Sequence, residues 1–127
     1  MKLAYTILYV EDVGRSLDFY AKAFDLKIRY RHESGDFGEL ETGNTALAFS
    51  SRRLMTELQK NPSRADAKAP SFEIAFATDD VAAGVTRALA TGATLIQKPA
   101  QMPWGQTVAY VADPDGFLVE ICTPMAA

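Results

Sequence analysis

The chain has 127 residues, 48% of them hydrophobic and 23% charged, and a formal net charge of −3. This size and composition are typical of one globular domain, and an acidic chain without a basic tract argues against nucleic-acid binding. The single cysteine, Cys122, and the single histidine, His32, exclude an intramolecular disulfide, a cysteine-rich zinc site and a metal site built from several histidines of one chain.

The start of the chain predicts neither a secretory signal nor a membrane anchor. Residues 1–12 include Glu11 and Asp12 and contain no long apolar run, and no later stretch approaches the length of a membrane span. We therefore expect a cytoplasmic protein with no membrane partner.

Alternation and turn residues predict a β-α-β-β-β order for residues 1–50. Residues 3–10 alternate and are rich in Tyr, Ile and Val, which is typical of a strand. Asp12 is a suitable N-cap for the amphipathic helix that follows. Further strands are expected near 26–31, 37–42 and 45–50.

Residues 51–70 form a polar connector that contains one amphipathic stretch. Leu54, Met55 and Leu58 have the spacing of a short helix. Because so long a connector is uncommon in a compact domain, we expect a lid or a subunit-packing arm, with these apolar side chains exposed at a subunit contact.

The second half of the chain, residues 71–127, repeats the order of the first. At an offset of 68 positions Asp80-Val81 matches Asp12-Val13. Either Asp79 or Asp80 is expected to cap a second helix that runs to about Leu89, and Thr91-Gly92-Ala93 is expected to end it. The strands of this half are expected at 72–78, 94–97, 107–111 and 117–122. A Pro-Asp-Gly turn at 113–116 joins the last two of them.

Two motifs carry a family resemblance. YTILYVEDVGRSLDFYAKAFDLKI opens the chain with the D-x-x-R-S-x-x-F-Y pattern, and VAYVADPDGFLVEIC closes it with D-P-D-G-x-x-x-E. With the duplicated module, these motifs resemble the vicinal-oxygen-chelate superfamily, which includes glyoxalase I, extradiol dioxygenases and bleomycin-resistance proteins. The matched residues are Asp12, Arg15, Ser16, Phe19, Tyr20, Asp113, Pro114, Asp115, Gly116 and Glu120.

The resemblance implies an α+β, glyoxalase-like fold, in which two tandem βαβββ modules form a curved mixed sheet around a cleft. It also implies a homodimer. In the metal-dependent members, one position on the first strand and one on the fourth strand of each module supply the metal ligands. Transferred by motif, these positions are Tyr5, Ala48, Glu73 and Glu120. Because a firm transition-metal site needs at least three suitable ligands, we expect no firmly bound metal, although Glu73 and Glu120 could bind Mg²⁺ or Mn²⁺ weakly.

Side-chain alternation predicts which residues share the cleft. One set of strand faces is predicted to line it, with Trp104 on a neighbouring loop as a stacking residue or a packing residue. The cleft set is Tyr5, Ile7, Tyr9, Ala46, Ala48, Ser50, Glu73, Ala75, Ala77, Leu118, Glu120 and Cys122. The opposite faces are predicted to form the core, through Leu8, Val10, Phe72, Ile74, Phe76, Phe117, Val119 and Ile121.

Two functions follow from these residues. The first is a metal-free binding protein of the bleomycin-resistance type that takes a small organic molecule into an aromatic, acidic cleft. The second is a superfamily enzyme, a lyase, isomerase or dioxygenase-like protein that uses Glu73 and Glu120 as catalytic residues. One of these carboxylates would be a general base beside a carbonyl, with or without a weak divalent metal. A glyoxalase I of the usual kind is disfavoured because its four-ligand set is missing. The structural alternative is that Glu73 and Glu120 are ordinary solvent-facing carboxylates, Cys122 a core residue and His32 a surface residue.

Overall fold

The computed structural model describes residues 1–125, so the last two residues of the predicted second module, Ala126 and Ala127, lie outside the described residues. The chain divides into two compact units, Met1–Arg64 and Ala65–Ala127. Each unit contains one of the two modules predicted from the repeat. The predicted connector is shared between them, since its first part belongs to the first unit.

The first unit has the predicted β-α-β-β-β order and a short extra helix. Its four strands form one mixed sheet in the order β1-β4-β3-β2, with β1 parallel to β4 and the other pairs antiparallel. Its elements are β1 (Tyr5–Val10), α1 (Val13–Ala23), β2 (Lys27–Arg31), β3 (Phe37–Glu41), β4 (Ala46–Ser51) and α2 (Arg52–Glu57).

Helix α1 begins where the sequence predicted it. The side chain of Asp12 accepts a hydrogen bond from the backbone N–H of Arg15 at 3.0 Å, which satisfies one of the free donors of the first turn. The apolar face of α1 packs on the sheet, where the ring of Tyr20 lies 5.2 Å from the ring of Phe49 between centroids. Both rings are fully buried, and they form the centre of the first unit's core.

The start of the connector is part of the first unit's core rather than an exposed arm. Ser51 caps α2 by accepting from the N–H of Leu54, and Met55 is 4% exposed. The prediction that Met55 is exposed at a subunit contact is therefore wrong, because α2 turns this side chain toward the sheet. Leu58, just after the helix, is exposed as predicted.

The second unit repeats the fold of the first. Its sheet has the order β5-β8-β7-β6, with β5 parallel to β8 and the other pairs antiparallel. The two units confirm the predicted α+β fold of two tandem βαβββ modules, each with its own four-stranded mixed sheet. The elements are β5 (Ile74–Ala77), α3 (Val81–Thr91), β6 (Thr94–Gln101), β7 (Thr107–Ala112) and β8 (Leu118–Cys122).

Helix α3 is capped at both ends by residues that the sequence singled out. The side chain of Asp80 accepts from the N–H of Ala83, and Gly92 ends the helix in the left-handed conformation at φ 119°. Helices α1 and α3 are 11 residues long. Among residues 1–125, no helix has the length and apolar character needed to cross a bilayer.

The predicted core is confirmed in β1 and β8, is only half-buried at Ile74, Phe76 and Phe117, and is wrong at one end. Val119 and Ile121 are buried, as are Leu8 and Val10 in the first unit. Phe72, however, is 46% exposed. It lies before the first residue of β5, so no neighbouring strand covers it, and its ring only meets the ring of Phe117 edge-on at 6.1 Å.

Candidate functional site

The β7–β8 hairpin fixes which side chains meet on the second sheet. In its turn, the N–H of Asp113 donates to the carbonyl of Phe117, and the N–H of Gly116 donates to the carbonyl of Asp113. This closure sets the register of the two strands. Ala112 pairs with Leu118, Tyr110 with Glu120 and Val108 with Cys122.

Tyr110 and Glu120 form the central contact of this face. Because they are directly opposite on antiparallel strands, their side chains leave the sheet on the same side. The hydroxyl of Tyr110 donates to Oε1 of Glu120 at 2.9 Å. Tyr110 is not among the site residues predicted from the sequence, although the turn at Asp113 and strand alternation contain the signal that places it opposite Glu120.

Glu73 lies on the same side of the sheet, immediately before β5. In the parallel pair β5–β8, Ala75 is opposite Glu120, and Glu73 precedes Ala75 by two residues. Partial desolvation raises the pKa of Glu73 above its ordinary value, although the side chain remains exposed, and the nearby Glu120 carboxylate raises it further. The two acids therefore repel each other across neighbouring strands. We call Glu73, Glu120 and Tyr110 the Glu-Tyr cluster.

The proton donors around Glu120 are held in their protonated forms. Burial, and then the hydrogen bond to Glu120, raise the pKa of Tyr110 to about 12. The pKa of the Cys122 thiol is also raised, first by burial and then by hydrogen bonding to Glu120. Cys122 is 6% exposed, and its Sγ lies 3.7 Å from the carbonyl oxygen of Phe76. A buried, protonated thiol is a poor nucleophile.

Trp104 lies on the loop that precedes β7. Its indole Nε1–H donates to the side-chain oxygen of Gln106 at 2.7 Å, and the amide of Gln106 donates to the carbonyl of Thr123 at 2.8 Å. These contacts attach the loop to the end of β8. The ring is 62% exposed, so it offers a free surface for stacking. Leu118, at the other end of β8, is half-buried on the same side of the sheet as Glu120.

The predicted site residues of the first unit differ in their accessibility. Tyr5 and Ile7 are 51% and 44% exposed on one face of β1, which is an edge strand, and the ammonium of Lys60 lies 5.9 Å from the ring centroid of Tyr9. Ala48, in contrast, has no exposed surface. The prediction that Ala48 contacts a ligand is not compatible with this burial, because β4 is the interior strand between β1 and β3.

The four positions that the resemblance assigns to metal ligands do not fit a four-ligand centre. Ala48 carries no donor atom, and Tyr5 is an exposed phenol. Only Glu73 and Glu120 carry carboxylates, and Oε1 of Glu120 already accepts from Tyr110. Residues 1–125 contain no group of three or more His, Cys, Asp or Glu side chains arranged to hold a metal ion.

Comparison with known proteins identifies the family. The family model described as "Glyoxalase-like domain" matches residues 3–126. The chain belongs to the glyoxalase-like domain family. This finding confirms the resemblance to the vicinal-oxygen-chelate superfamily that the two sequence motifs indicated.

Relatives of this glyoxalase-like protein include named enzymes. The lactoylglutathione lyase of Neisseria meningitidis serogroup B is 31% identical over 94% of this chain and 88% of its own length. The lactoylglutathione lyase of Escherichia coli O157:H7 is 27% identical over 95% of this chain and 91% of its own length. YraH of Bacillus subtilis, described as uncharacterized, is 28% identical over 95% of this chain and 97% of its own length.

Solved structures of related proteins share the fold. A glyoxalase-related enzyme from Fulvimarina pelagi matches with a TM-score of 0.84 at 23% identity, over 98% of this chain and 88% of that chain. A glyoxalase/bleomycin resistance protein/dioxygenase family enzyme from Burkholderia phytofirmans matches with a TM-score of 0.82 at 24% identity, over 97% of this chain and 98% of that chain. At this level of identity, the likeness establishes the fold of the glyoxalase-like protein.

The raised pKa of Glu73 predicts a pH-dependent gain in stability for Glu73→Gln. A carboxyl whose pKa is higher in the folded state costs stability once it ionises, so the cost is absent below the unfolded value near 4.5 and grows as the pH rises through the folded value. Because Glu73 is exposed, we expect the variant to gain only about 0.5 kcal/mol at pH 7.5 and nothing at pH 4.

Urea unfolding at both pH values measures this difference. Glu33→Gln, at an exposed acid in the first unit, controls for the loss of one negative charge from the chain. A gain for Glu73→Gln that is the same at pH 4 and pH 7.5 would contradict the assignment of an unfavourable ionised Glu73.

Proposed function

We propose that this glyoxalase-like protein binds a small organic molecule carrying a cationic or hydrogen-bond-donating group at the Glu-Tyr cluster, without a firmly bound metal. The observation that carries the proposal is the pairing of two carboxylates on one sheet face with a tyrosine that already donates to one of them. Among residues 1–125, the influences on the pKa of Glu73 are desolvation and the Glu120 carboxylate, and no cation is among them to offset the repulsion. A ligand with positive charge would supply that compensation.

The surroundings of the cluster support an organic ligand rather than a bare ion. Ala75 and Ala77 are exposed on the same side of β5, opposite Glu120 and Cys122, and Leu118 is half-buried two residues before Glu120 on β8. Small apolar side chains next to a few polar groups are typical of sites that bind the carbon skeleton of a ligand and orient its polar end. We propose Leu118 as an apolar contact and Trp104 as a stacking surface, whereas the buried Cys122 is expected to pack beneath the ligand rather than contact it.

A pair of probes that differ mainly in charge tests the proposal. Benzamidine is a planar aromatic cation, and benzamide is its nearly isosteric neutral counterpart. We expect the wild-type protein to bind benzamidine more tightly in calorimetric titration. Glu120→Gln should weaken benzamidine binding by about 10- to 100-fold, since a hydrogen bond to a charged group contributes about 1.5–3 kcal/mol. Binding of benzamide should change little.

The same titration includes a control variant and has outcomes that would contradict the proposal. Glu33→Gln removes an equal charge far along the chain from the cluster and should leave both affinities unchanged. Because Trp104 is the single tryptophan, its fluorescence reports whether the probe reaches that ring. Equal affinity of the wild type for benzamidine and benzamide, or equal loss of both in Glu120→Gln, would contradict the proposed function.

The named relatives favour a second candidate function. Lactoylglutathione lyases that are 27–31% identical to this chain support a superfamily enzyme, a lyase, isomerase or dioxygenase-like protein. In that case Glu73 or Glu120 would act as the general base beside a substrate carbonyl. Elemental analysis of the purified protein and an assay for S-lactoylglutathione formation distinguish the candidates, since a stoichiometric metal with turnover favours the enzyme.

Two further proposals concern the first unit and the assembly. The exposed face of β1, formed by Tyr5, Ile7 and Tyr9, is a candidate contact surface for an aromatic molecule. We also propose that the chain forms a homodimer, with the exposed Leu58 among the apolar side chains available for the contact.

A further inference from the structure

We infer that Tyr110 determines the specificity of the Glu-Tyr cluster by making it an acceptor-only surface, which selects cations that carry N–H donors, such as amidinium and guanidinium groups. This inference rests on the proposed function and goes beyond it, because charge alone would equally admit a quaternary ammonium group. Whether the cluster also selects ligands by their N–H donors depends on where the proton of the Tyr110 hydroxyl points.

A tyrosine hydroxyl has one proton to donate and lone pairs that accept. In this structure Tyr110 donates that proton to Oε1 of Glu120 at 2.9 Å. Its oxygen therefore has only acceptor capacity left for a ligand. Because Oη and the Glu120 carboxylate are adjacent, a planar cation with two N–H donors can form a hydrogen bond to each of them. A cation without N–H donors can only be attracted by the negative charge and forms neither hydrogen bond.

Two other side chains on this sheet, those of Cys122 and Gln97, also carry hydrogen-bond donors. The single S–H of Cys122 already has acceptors within the protein, namely the carbonyl of Phe76, with Sγ and the oxygen 3.7 Å apart, and the carboxylate of Glu120. The side-chain amide of Gln97, which does carry donors, belongs to the residue paired with Tyr110 on β6. The backbone of Gln97 is thus one strand from Tyr110 and two strands from Glu120, which is roughly 10 Å from Glu120 at the usual strand spacing.

The register holds Tyr110 in this role. Tyr110 is directly opposite Glu120 in the middle of the β7–β8 ladder, with paired residues on both sides of it. The ring is half-buried, so packing restricts its rotation and the hydroxyl stays beside the carboxylate. A specificity residue that is fixed by a strand ladder is more rigid than one placed on a loop.

Two aromatic monocations test the inference. Benzamidine carries N–H donors, and phenyltrimethylammonium carries none. We expect wild type to prefer benzamidine by about tenfold, the usual value of one well-formed hydrogen bond. Tyr110→Phe removes the hydroxyl and should reduce this preference to about threefold or less, while both cations still bind more tightly than benzamide. Tyr30→Phe, at an exposed tyrosine of the first unit, should keep the wild-type preference.

Each outcome separates this inference from the proposed function. If wild type does not distinguish benzamidine from benzamide, the proposed function fails. If wild type prefers both cations to benzamide but binds them equally, the acceptor-only inference alone is wrong. The inference is also overturned if Tyr110→Phe keeps the tenfold preference. Because the wild-type comparison needs no variant, the inference stays testable even if Tyr110→Phe folds poorly.

Discussion

Replacing Gly116 by alanine is expected to lower the free energy of unfolding by about 3 kcal/mol. Gly116 has φ 94°, a conformation that costs an L-residue about 1–2 kcal/mol. A Cβ at this position would also lie 2.6 Å from the carbonyl oxygen of Ala65. Since that oxygen belongs to the backbone, no side-chain rotation relieves the contact, and overpacking of this kind typically adds about 1–3 kcal/mol.

Gly105→Ala is the matched control for this prediction. Gly105 lies in the same unit at φ 100°, and a Cβ there would meet no atom within 4 Å. It should therefore cost only the conformational strain, or about 1–2 kcal/mol. Urea unfolding of the two variants measures the difference. Equal losses would mean that the segment at Ala65 moves away from the turn at little cost, and that the close contact does not stabilise the unit.

The order of the elements could be predicted because local signals agreed with the final packing. Asp12 and Asp80 cap helices in this structure as the sequence predicted, and the alternating strands pair in the repeated order. Capping depends on atoms three residues away, and alternation depends on one sheet face being buried. Both signals depend on short stretches of sequence, and tertiary packing did not change the elements that they predict.

The ends of elements were less predictable, since they depend on what a neighbouring segment covers. Phe72 continues the alternation of β5, yet it is exposed because the strand ladder begins only at Ile74. The same effect lengthens β6, which was expected to end at 97 and continues to Gln101. Pro99 lies inside this stretch, and a proline is tolerated there because β6 is an edge strand.

The candidate site could be predicted by residue type but only partly by contact. Glu73 and Glu120 were expected on one face, and the structure places them on the same side of the second sheet. Tyr110 was missed because its role depends on strand register, which needs the turn and both strands to be considered together. Ala48 was expected at a ligand surface, but a position on an interior strand can be wholly covered by its neighbours.

Asp113 stabilises the turn that sets the register of β7 and β8. Asp113→Ala is expected to lower the free energy of unfolding by about 2–4 kcal/mol. The side chain is 5% exposed, and its Oδ1 accepts from the N–H groups of Asp115 and Phe117, both at 2.9 Å. Alanine would leave these two partly buried donors without their acceptor, and each loss costs about 1–3 kcal/mol when water cannot replace it fully.

Asp113→Asn separates the hydrogen bonds from the charge. The asparagine side-chain oxygen can take the place of Oδ1 and accept from both N–H groups, so we expect this variant to lose only about 1 kcal/mol. Because the turn at Asp113 sets the pairing of Tyr110 with Glu120, Asp113→Ala should also weaken benzamidine binding, whereas Asp113→Asn should preserve it. Urea unfolding and calorimetric titration of the two variants provide both measurements. If both variants lose stability equally, the charge of Asp113 rather than its two hydrogen bonds stabilises the hairpin.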